Sequence, residues 1–514
     1  MNQPTRSGLI GNGFRYAALP LVFAIIVFAA LWFFYPQEYL ASDPGAYSLN
    51  AFRISQGTYW GAATNHPFDH RIGVSLPVAL AYKLFGVSLL STNLLPLLAC
   101  LIIFAVIWLA LPTPTAKILG LVFCILNVVF FTQSVYLFPD IIATAFMLLS
   151  SLFLWQRKKS IEGNARDRFL PLFAITALFI AFLAKESAYW VLPLWAYYFF
   201  ADVREKNTQL LKSFYLPALA IGAVLGISYL AFCAWAWGDP LARIRSVQGL
   251  ADAHLWNWDG APLNDKLNRL TIQPLRIFFV DFGIISPLAL LSLFVIPKPY
   301  RFWAFYTLST VLLFWFGSAS LTSYEPLPPW SRMAMPAFPG LVILASYLGS
   351  QLTVSASRSP KFNAVIVVMF FIAILAPSFI DSVASWQSLK RPEAEAIALV
   401  RRAVTDNRQE NFLLVTSDSR SPSSLQFYFG YNYPSNLRVV YAGDLTQDQL
   451  LRSTQVFLYI NQDLSTLMRR AYHSKNYDAE IQALDLTIVY DETKFLLFKA
   501  DAPADVTALL QSKP

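Results

Sequence analysis

The residues able to do chemistry stand where long apolar runs end. Asp43 follows the first such run by a few residues, and Tyr47 comes one helical turn later. His66, Asp69, His70 and Arg71 lie further along the same hydrophilic stretch. A carboxylate held at the edge of a bilayer among aromatic side chains is partly desolvated, which raises its basicity and suits a general base. Asp43 also stands directly before Pro44, the arrangement of a helix cap with proline in the first helical position. Asp140 opens a later apolar run, Lys185 and Glu186 separate two others, and Glu325 and Arg332 sit in a proline-rich segment. His66, Asp69 and His70 are metal-ligand types, but three residues on one short loop lack a fourth ligand. The sequence supports a solvated loop there and gives no support to a divalent metal or any other cofactor.

The elements that must position these residues follow from composition. Of 514 residues, 56% are hydrophobic and 14% charged, against about 25% charged in an ordinary soluble domain. That excludes a water-soluble globule, and it excludes intrinsic disorder, which needs low hydrophobicity and high net charge. The net charge of +8 is spread in short basic clusters between apolar runs. This is the pattern that orients membrane proteins, not one that binds nucleic acid. The three cysteines, Cys100, Cys124 and Cys233, all fall inside apolar runs and say nothing about redox compartment.

Eleven runs are long enough to read as transmembrane helices: 15–35, 88–111, 116–133, 138–156, 169–184, 188–202, 214–237, 277–297, 302–318, 335–350 and 362–380. A cytoplasmic N-terminus makes all the internal loops short and basic, including Arg157, Lys158 and Lys159 in one of them. The external loops are then 36–86, with an amphipathic interfacial stretch at 74–85, and 238–273, rich in Trp, Asp and Arg (Arg243, Arg245, His254, Trp256, Trp258, Asp259). That second loop reads as a cover for an acceptor site or as an interfacial aromatic belt. The composition changes near residue 380. The segment 381–514 reads as an external α/β sandwich with strands at 412–416, 438–442, 455–460, 486–490 and 495–499, and helices at 447–452 and 464–472. No internal repeat of the kind many transporters show is present.

An external Asp after the first span, then Tyr, a Gly-containing turn and a "P…LFG" helix, resembles the GT-C glycosyltransferases. The likeness is to the branch of protein O-mannosyltransferases and bacterial lipid A aminoarabinose transferases. "FPD" at 138–140, "AKES" at 184–187 and "SRMAMPAFPGLVIL" from Ser331 are also similar to family motifs. The resemblance spans about 10–380 in topology, and it implies a polytopic α-helical membrane protein of the GT-C type. Residues 1–380 would form the catalytic membrane domain and 381–514 an extracytoplasmic α/β domain, in the cytoplasmic (inner) membrane of a bacterium. The implied activity is inverting transfer of a sugar from a polyprenyl-phosphate donor to a hydroxyl of an envelope glycan, glycolipid or protein.

In that resemblance Asp43 deprotonates the acceptor, and a lipid-phosphate leaving group needs cations where negative charge develops. Lys185, Arg71 and Arg332 are the candidates. Lys185 pairing with Glu186, or snorkelling, and Arg71 pairing with Asp69 are the structural alternatives. Tyr47, His66, Asp69, His70, Asp140, Glu186 and Glu325 are the remaining candidates for substrate contacts, with Asp140 reading equally as a helix cap. Some relatives carry a second acid where this chain has Pro44, which argues against an obligatory metal at Asp43 and against aminoarabinose transfer in particular. The rival readings are a multi-pass transporter or flippase, a non-catalytic assembly protein, and an oligosaccharide ligase or polymerase with a diphosphate-linked donor.

Overall fold

The computed structural model describes residues 10–35, 43–60, 67–161, 167–252, 258, 260–320, 322–355, 360–388, 392–417, 421–431, 433–461, 477–484, 486–492, 495–500 and 506–507. His66, His254, Trp256, Asp259 and the helix expected at 464–472 lie outside them. The chain separates into two compact units. One comprises Met1–Tyr35, Gln56–Leu80 and Asn93–Ala384; the other comprises Pro36–Ser55, Ala81–Thr92 and Ser385–Pro514.

The first unit is built of apolar helices. Among the described residues five helices are long and apolar enough to cross a membrane, and up to seven if each of two bent pairs is one span. The bent pairs are Pro114–Ile125 with Val128–Val135, at 64°, and Leu263–Asp281 with Ile285–Ser292, at 101°. The runs 116–133 and 277–297, expected as single spans, are therefore broken. At the second break Gly283 takes a left-handed φ of 58°, a conformation that costs glycine nothing and most residues more. At the first, the Asn127 side chain accepts the Phe130 N–H at 2.9 Å and so caps the following helix. Its amide donates to the Asp281 carbonyl at 3.1 Å, which pins one break to the other.

Burial separates inner from outer helices. The apolar window of Met335–Leu352 is 83% buried, whereas those of Thr208–Trp237 and Val365–Ser382 are 17% and 12% buried. Apolar surface on that scale is stable against hydrocarbon rather than water. The Ile72–Phe85 helix departs from expectation in the same way. Leu76, Leu80 and Leu84 face outward while Val74, Val78 and Tyr82 are buried, so both faces are apolar and the helix is not amphipathic. Lys83 is its only charged residue.

One polar clamp holds helix ends together. Arg157 donates through Nε and Nη2 to both Asp202 oxygens, at 2.6 and 3.0 Å, and the Tyr215 hydroxyl adds a third bond at 2.7 Å. The guanidinium also lies 4.5 Å from the centre of the Tyr198 ring. Arg157, read from the sequence as one of several orienting loop charges, is thus a buried strut.

In the second unit, strands β1 (Phe412–Thr416), β2 (Leu437–Tyr441), β3 (Gln455–Asn461), β4 (Thr487–Glu492) and β5 (Phe495–Ala500) form one sheet in the order β2-β1-β3-β5-β4. β1 runs parallel to β2 and β3, and β5 runs antiparallel to β3 and β4. Alternate side chains feed two cores, as a pleated strand requires. Leu413, Val415 and Leu458 pack with Leu450 and Ile481 in one, and Phe412, Leu414 and Phe457 pack with Ile397, Val400 and Leu425 in the other. The five strands lie within two residues of their expected ends, and helices cover both faces, as in the expected α/β sandwich.

Removing one partner of a buried ion pair typically costs about 3–5 kcal/mol, because the other charge is left uncompensated. Asp202→Ala should therefore lower the apparent Tm in detergent by several degrees. Lys158→Gln, at an exposed residue 3.8 Å from Glu205, should change it by no more than about a degree; thermal-shift curves of the two variants check both.

A cationic cluster and the Asp43 helix

The cluster lies in the membrane unit and begins with two helix ends. The Pro139–Trp155 helix starts with proline in its first turn and Asp140 beside it, and Asp140 is buried. The Leu170–Ala184 helix ends at Lys185, whose backbone turns extended (φ −155°, ψ 148°) while its N–H still bonds the Ala181 carbonyl. A cation at a helix C-terminus is favoured by the exposed carbonyls there. The Lys185 ammonium donates to Asp140 Oδ1 and lies 2.9 Å from the Met333 sulfur. Lys185 therefore pairs with Asp140, not with the adjacent Glu186. Burial pushes the Lys185 ammonium down from its ordinary pKa, the Asp140 carboxylate opposes that, and the fields of Arg71 and Arg332 add to it. Lys185 thus stands within the field of both other cations singled out by sequence.

Glu186 opens the short Glu186–Val191 turn and is gripped by two arginines. Arg71 donates through Nε and Nη2 to Oε2, at 3.1 and 2.8 Å, and Arg243 donates through Nε to Oε1 at 2.9 Å. Burial alone would raise this carboxyl's pKa, but the two guanidinium groups overcome it and hold the group well below the usual carboxylate range. Glu186 is an ionised brace for two arginines. Arg71 accordingly pairs with Glu186 rather than with Asp69.

Backbone packing makes this possible. A Cβ on Gly73 would lie 2.6 Å from backbone atoms of Leu183 and Ala184, so only glycine lets the chain after Arg71 approach the end of the Leu170–Ala184 helix that closely.

Arg243 is the residue that sequence reasoning underused. It sits on the Ala242–Asp252 helix, is buried, and has its Cζ 4.4 Å from the Phe182 ring centre. Its Nη1 and Nη2 have no hydrogen-bond partner among the described residues. The signal was present in Arg243-Ile244-Arg245: two residues apart on a helix point to different sides, and Arg245 is exposed and pairs with Asp239 at 3.1 Å. Asp140 Oδ2 is likewise buried without a partner. Arg332 lies between two rings, its Cζ 4.6 Å from the centre of Phe138 and 4.8 Å from that of Trp330. These six groups comprise four cations and two carboxylates; Asp140, Lys185 and Arg243 are buried, while Arg71, Glu186 and Arg332 are half-buried.

The remaining candidates are dispersed. Asp69 is half-buried and its carbonyl accepts the Tyr59 hydroxyl; His70 is buried with its ring centre 4.5 Å from that of Trp237. Glu325 is buried in a bridged turn, its N–H donating to Ser318 Oγ at 3.0 Å. The Gln248 amide donates to Ser320 and Thr322 hydroxyls at 2.9 and 2.8 Å, which ties the Arg243 helix to that turn. Among the described residues no three His, Cys, Asp or Glu side chains gather as metal ligands.

In the second unit, Asp43 is the first residue of the Asp43–Ser55 helix, with Pro44 after it. Asp43 is half-buried, while Tyr47 and Ser48 are fully buried. Tyr47 is thus part of the packed face of this helix.

Because the folded-state pKa of Glu186 is depressed, its stabilising contribution is complete above the unfolded value, about 4.3, and fades as pH falls below it. The Tm advantage of wild type over Glu186→Gln should therefore hold from about pH 8 to about pH 5 and shrink in more acid buffer. Thermal shifts of both proteins across that range test it.

No protein-family model matches the chain, and no curated protein matches it in sequence. Solved structures do match. ArnT from Cupriavidus metallidurans in the apo state superposes with a TM-score of 0.52 at 13% identity, over 95% of this chain and 99% of that one. The same protein bound to undecaprenyl phosphate gives 0.53 at 14% identity, over 94% and 98%. The apo oligosaccharyltransferase of Archaeoglobus fulgidus gives 0.56 at 11% identity, over 95% of this chain and 74% of that one. The chain has the fold of these GT-C membrane proteins.

Proposed function

We propose that this protein is an inverting membrane glycosyltransferase. It moves a sugar from a polyprenyl-phosphate carrier to a hydroxyl of an envelope glycan, glycolipid or protein at the outer face of a bacterial cytoplasmic membrane. The N-terminus is cytoplasmic, the eleven apolar runs supply the membrane domain, and the C-terminal unit is extracytoplasmic. The observation that carries this reading is the cluster of Lys185 and Arg243, both buried, with Arg71 and Arg332, both half-buried, four cations set against the carboxylates of Asp140 and Glu186. The likeness to ArnT, over nearly its whole length and with undecaprenyl phosphate bound in one structure, supports it.

The chemistry is a single displacement. The acceptor oxygen bonds to the anomeric carbon, the bond from that carbon to the phosphate oxygen breaks, and its electron pair leaves with the phosphate. The acceptor proton passes to the Asp43 carboxylate. As the diester becomes a monoester its charge grows from about one negative toward about two. An excess of two positive charges matches the departing phosphate better than the intact donor. Interactions that strengthen along the reaction are the ones that lower its barrier. Lys185, fixed by Asp140, and Arg332, held between two rings, take the phosphate oxygens, while Glu186 orients Arg71 and Arg243.

A second reading, transfer of a preassembled glycan, draws on the likeness to the archaeal oligosaccharyltransferase. A diphosphate leaving group would carry more charge than these six residues balance, and the chain covers only 74% of that relative. Both points favour the monophosphate donor.

Asp43→Asn should abolish transfer while leaving the protein folded. Mass spectrometry of envelope glycans and glycolipids, from cells with matched membrane levels of both forms, should show one sugar mass missing in the variant. An unchanged profile removes Asp43 as the base. Arg332→Gln should weaken binding of undecaprenyl phosphate roughly ten- to hundredfold, the worth of a charged hydrogen bond. It is a cleaner probe than Lys185→Met, which strands Asp140 as a buried, unpaired charge. Titration of purified protein with the lipid reads the difference.

A further inference from the structure

The Asp43–Ser55 helix is tied into its unit by a chain of hydroxyl groups whose direction follows from counting protons. Thr92 Oγ1 donates its proton to the Ser88 carbonyl at 2.7 Å. It must then accept from Tyr82, whose hydroxyl lies 2.7 Å away. The Tyr82 proton is thereby used, so its oxygen accepts from Ser48 Oγ at 2.9 Å. Ser48 in turn has no proton left for Tyr431, and the contact between them is a bond donated by the Tyr431 hydroxyl. Each hydroxyl has one proton to give, which leaves a single arrangement: Tyr431 to Ser48 to Tyr82 to Thr92 to the Ser88 carbonyl. Ser48, Tyr82, Thr92 and Tyr431 are all buried, where water cannot replace a missing partner.

Tyr431 belongs to the sheet domain, and its backbone is built to present the ring. It follows the Ser421–Tyr428 helix and takes a left-handed φ of 64°, directly after Gly430 at 63°. That conformation is uncommon for a bulky residue and persists only where its surroundings require it. The Tyr431 N–H donates to the Gln426 carbonyl at 2.7 Å and the Gly430 N–H to the Phe427 carbonyl at 2.9 Å, which fixes the turn. The ring stacks on Phe52 with centroids 4.8 Å apart and planes 29° from parallel. Tyr431 thus holds the Asp43 helix at two points one turn apart, through the Ser48 hydroxyl and the Phe52 ring.

We propose that Tyr431 is a positioning residue, through which the C-terminal domain seats the helix that presents Asp43 and so sets the rate of acceptor deprotonation. This rests on the reading of Asp43 as the base, and it assigns the domain a role that requires no ligand site of its own. Loss of the Tyr431 hydroxyl leaves the stacked ring in place and the Ser48 oxygen without its donor. The helix then gains freedom to move by a few tenths of an ångström, enough to spoil a proton transfer that depends on geometry.

The test uses the full-length protein in lipid nanodiscs, as wild type, Tyr431→Phe, Ser48→Ala and the double variant. Two quantities are read: hydrogen exchange of the amides in 43–55, and sugar transfer with kcat and KM for the lipid-linked donor determined separately. Tyr431→Phe should speed exchange in 43–55 and lower kcat about five- to tenfold, the loss of one buried hydrogen bond, with KM for the donor unchanged. Ser48→Ala should do the same, and the double variant should be no worse than either, because both remove one bond. Unchanged exchange and kcat in Tyr431→Phe, or additive losses in the double variant, overturn the proposal. Faster exchange in the variants of a wild type that transfers no sugar would keep the seating and discard the catalytic reading of Asp43. A fall in kcat without faster exchange would keep that reading and discard the seating.

Discussion

A charge in a low-dielectric interior must be paired or give up its ionisation, and the membrane unit is organised around one case of this constraint. Glu186 stays ionised because Arg71 and Arg243 reach it from different parts of the chain. Those two contacts join the residue before the Ile72–Phe85 helix, the turn after Leu170–Ala184 and the Ala242–Asp252 helix. Breaking either would leave a buried charge unbalanced, so the three segments are obliged to meet. The neighbouring Lys185–Asp140 pair adds the start of Pro139–Trp155 to the same point. Lys185 and Arg243, both buried, thus stand with Arg71 and Arg332 at the place proposed for the donor phosphate.

The sequence was informative wherever a local rule decides the structure. The strands of the C-terminal domain follow from alternation and turn residues, and the α/β sandwich follows from helices set between them. The membrane runs were legible as apolar segments but not in their geometry. Hydropathy averages over a window and so is blind to the left-handed glycine at 283 and to Asn127, whose two hydrogen bonds cap one helix and fasten two breaks together. It was equally blind to the outward leucines of Ile72–Phe85, whose spacing looks amphipathic until the buried face also proves apolar.

The candidate site shows where single-residue reasoning ends. Lys185, Arg71 and Arg332 could be named because cations at the ends of apolar runs are costly and invite a reason. Their partners could not. The nearest acid in sequence is Glu186 for Lys185 and Asp69 for Arg71, yet the pairs are Lys185 with Asp140 and Arg71 with Glu186. Sequence distance is a poor guide when helices of similar length bring their ends to one level. Arg243 was hidden for a different reason. In a loop rich in Trp, Asp and Arg its charge looks solvated, and only the helix formed by 242–252 separates it from the exposed Arg245.

In the proposed reaction, the Asp43 helix and the cations belong to different compact units. On that reading a departing phosphate needs fixed charge, which the ion pairs of Glu186 with Arg71 and Arg243 and of Lys185 with Asp140 would hold in place. The Asp43 helix meets Tyr431 through the Ser48 hydroxyl and the Phe52 ring, both neutral contacts. On the proposed reading, changes at Tyr431 in the C-terminal domain would alter how Asp43 is presented while leaving the ion pairs around Glu186 and Asp140 as they are.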